Sequence, residues 1–302
     1  MNLEVINLRE DRPVTLTSYI IDKSSEIEWE KRPAVVICPG GGFQMTSDRE
    51  AEPIAVSFLG KGYNAFVLRY TTGSMGVKKI YPEILYDLAN AIIMIKNNAE
   101  KWNVDTERIA IIGFSAGGTL AAMYSVHWHR EWLLSSLNVN SDILKVAAVI
   151  LGYPTTDFEL MLKIIEEEGD KSLGFFDLTP KDIFYNKCSL LTGNDNFTNE
   201  QLKILSPINY IDDKTVPTFL WHTANDDLID VENSLKYACK LASNNIPFEL
   251  HIFEDGIHGL SLANKVTAAA LYDDKRNNLH INPSVEKWTE LMYTWLKKYL
   301  ED

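Results

Sequence analysis

Cysteine is scarce in this chain: Cys38, Cys188 and Cys239 are the only three in 302 residues. An odd number at such distances builds neither a disulfide framework nor the paired spacing of a zinc site, so they read as small buried or half-buried thiols. Basic residues are outnumbered, 29 Lys and Arg against 42 Asp and Glu, giving a formal charge of −13. Gripping a phosphate backbone needs clustered positive charge, which excludes nucleic acid as a partner. Long apolar runs are missing too. No stretch approaches the roughly 20 apolar residues of a bilayer span, and the opening Met1-Asn2-Leu3-Glu4-Val5 has no basic segment leading into an apolar block. The expectation is a soluble, cytoplasmic protein with no membrane partner. There is no internal repeat or low-complexity tract.

What the chain does have is apolar material in short bursts, with 46% of its residues hydrophobic. Runs at Pro33–Ile37, Asn64–Leu68, Ile109–Ile112, Val146–Leu151, Pro217–Trp221 and Phe248–Phe253 read as strands. Several are continuously apolar rather than alternating, as strands of a parallel sheet covered on both faces must be. Helical patterns separate them at Glu50–Leu59, Pro82–Trp102, Thr119–Val126, Val231–Ser243 and Ser284–Leu300. This alternation predicts one α/β domain over 1–302, with a mostly parallel central sheet and helices on both faces. The stretch 155–214 breaks the rhythm with a helix-like block at Phe158–Glu168 and no strand. It reads as a cap-like insertion over the strand ends, whose Phe158, Met161, Phe175, Phe176 and Phe184 either line a pocket or fill a small core of their own.

Chemistry concentrates where Ile109–Ile112 runs into Gly113-Phe114-Ser115-Ala116-Gly117 and then a helix. A serine between glycines at such a strand-to-helix turn is held on a sharp elbow, its hydroxyl free to attack a carbonyl. The proton must go to a base, and six histidines are candidates. His127 and His129, two apart on or near a helix, point in different directions and suit no metal. His222 and His251 lie in or at strands and read as structural, and His280 sits in a polar, exposed segment. His258 lies in the glycine-flanked loop Gly256-Ile257-His258-Gly259 after the last strand, which makes it the base. Its orienting carboxylate belongs to the Asn225-Asp226-Asp227 loop, where Asp226 is preferred and Asp227 is assigned to solvent. Asp230 reads as a helix cap. Backbone donors for an oxyanion come from Pro39-Gly40-Gly41-Gly42, with Gly41 and Gly42, and from Ala116 after the nucleophile.

With these parts together, the chain resembles the α/β-hydrolase superfamily, and within it the acetyl-xylan-esterase-like carbohydrate esterases near the hormone-sensitive lipase group. The resemblance rests on Pro39–Phe43, Gly62-Tyr63, Leu68-Arg69-Tyr70, Arg108-Ile109-Ala110, the elbow with Gly118, Pro217–Ala224, Val231–Leu235 and Gly256–Gly259, and it extends over nearly the whole chain. Pro39 replaces the histidine that opens the glycine motif in the lipases, and Asn225 and Asp230 stand where relatives commonly carry Asp and Pro. Arg69 and Asp87 match positions read as a structural ion pair. The resemblance implies a serine esterase for short-chain, carbohydrate-borne acetyl esters that uses Ser115, His258 and Asp226 and needs no cofactor or metal. Its partner is a small-molecule or oligosaccharide ester, and a homo-oligomer stays open. The competing expectations are an oligopeptidase-type peptidase and a non-catalytic hydrolase-fold binding protein.

Overall fold

The six apolar runs form parallel strands in one eight-stranded sheet. The computed structural model describes residues 1–27, 31–168, 179–269 and 278–301. The strands are β1 (Asn2–Asn7), β2 (Thr15–Ile20), β3 (Arg32–Cys38), β4 (Asn64–Arg69), β5 (Val104–Phe114), β6 (Ala148–Gly152), β7 (Thr218–Thr223) and β8 (Phe248–Phe253). The first two, β1 and β2, are joined to each other and to β4 by antiparallel pairing, and every other pair in the sheet order β1-β2-β4-β3-β5-β6-β7-β8 is parallel. β1 and β2 were not among the expected strands because they sit at an edge where one face meets water. Their polar–apolar alternation leaves no continuous run to catch the eye.

The central strands carry long apolar stretches because each face has its own core. Along β3, Ala34, Val36 and Cys38 point to one side, where the helices Glu83–Asn97, Ala116–His127 and Glu232–Ser243 pack with Leu88, Ile92, Leu120, Tyr237 and Leu241. Val35 and Ile37 point to the other, against Phe58 of the helix Glu52–Leu59 and Trp288, Met292 and Leu296 of the helix Trp288–Leu300. A period of two split between two fully buried surfaces is the pattern a doubly covered sheet imposes.

Between 155 and 214 the described residues hold three α-helices, Phe158–Glu168, Pro180–Thr192 and Asn199–Leu205, a 3-10 turn at Pro207–Tyr210, and no strand. Phe158, Met161 and Phe184 fill a core continuous with that of the sheet rather than a pocket wall; Phe175 and Phe176 lie outside the described residues. The second and third helices start with capping boxes at Thr179/Asp182 and Thr198/Gln201. Arg69 and Asp87 do not pair with each other, contrary to expectation. Arg69 bonds Asp48 at 2.6 Å, while fully buried Asp87 takes Arg9 as its ion partner and accepts the Thr71 N–H at 2.8 Å. Sequence spacing gave no hint that the segment after β1 returns Arg9 to this spot. Asp230 accepts the Glu232 N–H at 2.8 Å just ahead of the helix Glu232–Ser243, whose cap position falls on Val231 rather than on Asp230 as expected.

Register decides what meets at the sheet's carboxyl edge. Cys38 lies beside Gly113, Phe114 beside Gly152, Gly152 beside Trp221, and Thr223 beside Phe253. The loops leaving β3, β5, β6, β7 and β8 therefore emerge side by side, where open α/β sheets place their ligand crevices.

Candidate active site

Ser115 links β5 to the helix Ala116–His127 with φ +50° and ψ −119°, outside the conformations a side-chain-bearing residue ordinarily adopts. The turn is held from both sides: the Ser115 N–H donates to Gly152 O at 2.9 Å, and Ser115 O accepts the Thr119 N–H at 2.8 Å. Glycine at 117 is required by close approach, since a Cβ there would collide with the carbonyl oxygens of Cys38 and Pro39.

The imidazole of His258 reaches across to this serine. Its Nε2 is 2.8 Å from Ser115 Oγ, and its Nδ1 lies 2.9 Å and 3.1 Å from the two carboxylate oxygens of Asp226. Asp226 has a side chain 1% exposed, and its Oδ1 also accepts the N–H groups of Leu228 and Ile229 at 2.9 Å and 2.8 Å. Asp227 is exposed and instead accepts the His258 backbone N–H at 2.9 Å. The two adjacent carboxylates thus divide the work, one on the ring and one on the backbone.

A second histidine touches the same acid. His222 is fully buried; its Nε2 lies 3.0 Å from Ile229 O and 3.2 Å from Asp226 Oδ2, and its Nδ1 2.8 Å from Ser234 Oγ. A carbonyl only accepts, so Nε2 carries the proton and Nδ1 accepts from the serine hydroxyl. Burial alone would raise the Asp226 pKa, but the two flanking imidazoles hold its carboxyl well below the usual carboxylate range. For His258, burial pulls the pKa down, and the charge and hydrogen bond of Asp226, with the charges of Glu50 and Asp227, more than offset this. The net shift is upward from 6.5.

The glycine loop after β3 supplies the facing wall. Gly41 and Gly42 have φ of +123° and +63°, and their N–H groups and that of Ala116 donate to no other group among the described residues. The loop is pinned by Glu50, 3% exposed, whose Oε2 accepts the Gly40 N–H at 2.8 Å and whose Oε1 accepts the Tyr153 hydroxyl at 2.6 Å. The histidine loop is pinned as well. Asn225 Oδ1 accepts the Gly256 N–H at 2.8 Å, and Arg49 donates to Gly259 O at 2.8 Å and Thr267 O at 2.6 Å.

Together these residues open into a cleft of about 1180 Å³, whose outer wall comes from Ile183, Lys187, Leu190 and the turn 193–196. Lys187 is 6% exposed; its Nζ donates to Thr155 Oγ1 at 2.9 Å and lies over the rings of Phe158 and Phe184. With no carboxylate partner among the described residues, it is pushed down by burial to a pKa of about 8. His280, expected to be exposed, is 4% exposed and borders the cleft, because Asn282 bonds Ala263 O and Asp255 O at 2.8 Å and folds this segment onto the histidine loop. His127 packs against Trp132 and Tyr210, while His129 bonds Asp212 at 3.0 Å. His251 bonds Glu249 at 2.8 Å, and all three stand apart from the cleft lining.

The sequence model of the BD-FAE family matches residues 23–241, more than two thirds of the chain and a span that includes both Ser115 and Asp226. This chain belongs to the BD-FAE family. Among curated relatives, endo-1,4-beta-xylanase B of Butyrivibrio fibrisolvens is 32% identical over 78% of this chain and 33% of its own length. Acetylxylan esterase of Xylanibacter ruminicola is 28% identical over 84% of this chain and 45% of its own. The chain thus spans between a third and a half of these relatives. The carboxylesterase Cest-2923 from Lactobacillus plantarum matches over the whole of both chains with 30% identity and a TM-score of 0.81, and the fold is that of the α/β hydrolases. No described helix is long and apolar enough to cross a membrane.

Glu50, Tyr153 and His222 were not singled out for the site from the sequence. Glu50 reads as the first residue of a helical pattern, Tyr153 lies two residues beyond the strand Val146–Leu151, and His222 reads as a structural histidine closing a strand. The only available cue was that all three sit at the carboxyl ends of predicted strands or at the start of the helix after one.

Proposed function

We propose that this chain is a serine carboxylic ester hydrolase, acting on short-chain esters and above all on acetyl groups carried by carbohydrates. The observation that carries the reading is the unbroken chain from Ser115 Oγ to His258 Nε2 at 2.8 Å and from His258 Nδ1 to Asp226 at 2.9 Å. Ser115 Oγ attacks the acyl carbon as His258 takes its proton, and Asp226 holds the tautomer with its proton on Nδ1 and stabilises the imidazolium. The N–H groups of Gly41, Gly42 and Ala116 receive the oxyanion. The imidazolium then gives its proton to the leaving alcohol. Water attacks the acyl-enzyme with His258 again as base, releasing acid and restoring the serine. No step calls on a cofactor or metal.

The carbohydrate preference draws on two supports. A relative named acetylxylan esterase is 28% identical over 84% of this chain, and the cleft is lined with hydrogen-bonding side chains, among them Gln44, Asn186, Ser189, Asn194 and Asn196. Across p-nitrophenyl esters, kcat/KM is expected to favour acetate over octanoate by at least about tenfold. Mass spectrometry is expected to show acetyl release from an acetylated xylo-oligosaccharide. A preference for octanoate with no loss of acetate from the sugar would defeat the substrate assignment.

The pH dependence follows from the histidine. Its neutral form is the base, so activity disappears as pH falls through its pKa, which lies above 6.5. The acid limb of the kcat/KM profile, which reports the free enzyme, is expected to have its midpoint above pH 6.5. A midpoint below that value in a pH series with p-nitrophenyl acetate would contradict the assignment of base and carboxylates.

A further inference from the structure

A buried carboxylate without a cation is expensive, and Glu50 is one. It is 3% exposed, and no Lys or Arg pairs with it among the described residues. The neighbouring Arg49 guanidinium is committed to the carbonyls of Gly259 and Thr267. Both groups that bond Glu50 are donors, the Gly40 N–H at 2.8 Å and the Tyr153 hydroxyl at 2.6 Å, so both of its oxygens serve as acceptors, as in an ionised carboxylate. The Tyr153 oxygen in turn accepts the Ser261 N–H at 3.0 Å, three residues beyond His258. Its ring stands edge-on to the His258 imidazole, with centroids 5.0 Å apart at 71°. One carboxylate thus reaches the glycine loop with one oxygen and the histidine loop, through a phenol, with the other.

We propose that Glu50 is a positioning residue for the ester hydrolysis inferred above, tying the oxyanion loop to the histidine loop and placing a second negative charge beside His258. The proposal rests on that reading of Ser115 and His258. Gly40 directly precedes Gly41, so the hold on its N–H fixes where the next amides point. There is no slack for drift: a Cβ on Gly40 would stand 2.6 Å from the Glu50 carboxylate and 2.9 Å from Ser115 Cβ. A mere tie between neutral donors needs no charge. What the charge adds is support for the imidazolium that forms during attack, alongside Asp226.

The charged and titratable groups around the ring come from four places. Asp226 and Asp227 follow β7, Tyr153 follows β6, Glu50 and Arg49 belong to the turn Asp48–Glu50, and His280 borders the cleft. Of these, Asp226, Glu50 and Asp227 act to raise the His258 pKa. Tyr153 is held protonated by burial and by Glu50, so it remains a donor throughout the working range.

The test is the pH dependence of fluorophosphonate labelling at Ser115, followed by intact mass, in wild type, Glu50→Gln and Tyr153→Phe, with kcat/KM on p-nitrophenyl acetate in parallel. Glu50→Gln is expected to move the acid limb to lower pH and to lower the plateau about tenfold, the worth of one lost hydrogen bond. Tyr153→Phe cuts the tie but keeps the charge, so its plateau falls while its limb does not move to lower pH. A folded Glu50→Gln protein with the wild-type limb overturns the proposal, whereas wild-type protein unlabelled at Ser115 overturns the esterase reading itself. If Glu50→Gln fails to fold by thermal melting, Tyr153→Phe decides: an undiminished plateau refutes the tie.

Discussion

Ser115→Ala is expected to lower kcat/KM for an acetyl ester by at least about 10⁴-fold while leaving the protein folded. The size follows from what is removed. Without the hydroxyl there is no acyl-enzyme, and only the oxyanion amides and binding remain to assist water, a residual contribution small beside that of the intact constellation. The fold should hold because alanine keeps the Cβ and the backbone contacts to Gly152 and Thr119 involve no side-chain oxygen. Steady-state kinetics with p-nitrophenyl acetate and a thermal melt check both halves. Near-wild-type turnover by a folded Ser115→Ala protein would remove the nucleophile from the mechanism.

Asp226→Asn should cost almost as much, for a reason specific to its surroundings. Oδ1 of Asp226 accepts two backbone N–H groups, from Leu228 and Ile229, so an asparagine must leave its carbonyl oxygen there and turn its amino group toward His258 Nδ1. An amide donor facing Nδ1 makes that nitrogen an acceptor and moves the ring proton to Nε2. The base then presents a proton to Ser115 where it should present a lone pair. Loss of about 10⁴-fold in kcat is expected. The same amino group faces the protonated Nε2 of His222, so stability should drop too, by about 1–3 kcal/mol for the unmatched buried donors. Asp227→Asn provides the contrast: this side chain is exposed and holds only a backbone N–H, so its loss should stay within about tenfold. Kinetics and chemical denaturation of the two variants separate the roles, and the reverse order of severity would transfer the acid to Asp227.

Where the sequence was legible, a single local cause sufficed. Strands buried on both faces carry continuous apolar stretches, so β3, β5, β6 and β7 announce themselves. The serine between glycines is legible because two backbones touch there and admit nothing larger. The edge strands β1 and β2 pair with each other and with β4, which lies far along the chain, as Thr15 with Arg69, and their half-polar pattern resembles a loop. The helices behind the capping boxes at Thr179 and Thr198 do not stand out in the sequence, because Gly, Pro and Asn punctuate that stretch, although a threonine followed three residues on by Asp or Gln is a start signal. Glu50, Tyr153 and His222 gain their meaning only from register, which sets five loops at one edge. His280 illustrates the opposite error, because a polar neighbourhood in sequence says nothing about what folds over it.

The left-handed turn at Ser115 has a cost that falls on stability rather than turnover. Any substitution that keeps a Cβ there inherits the strain, whereas glycine adopts such angles without penalty. Breeding this protein for heat resistance with no check on hydrolysis would therefore favour glycine at position 115. With Ser115 as the proposed nucleophile, the hardiest descendants of such a programme would be inert.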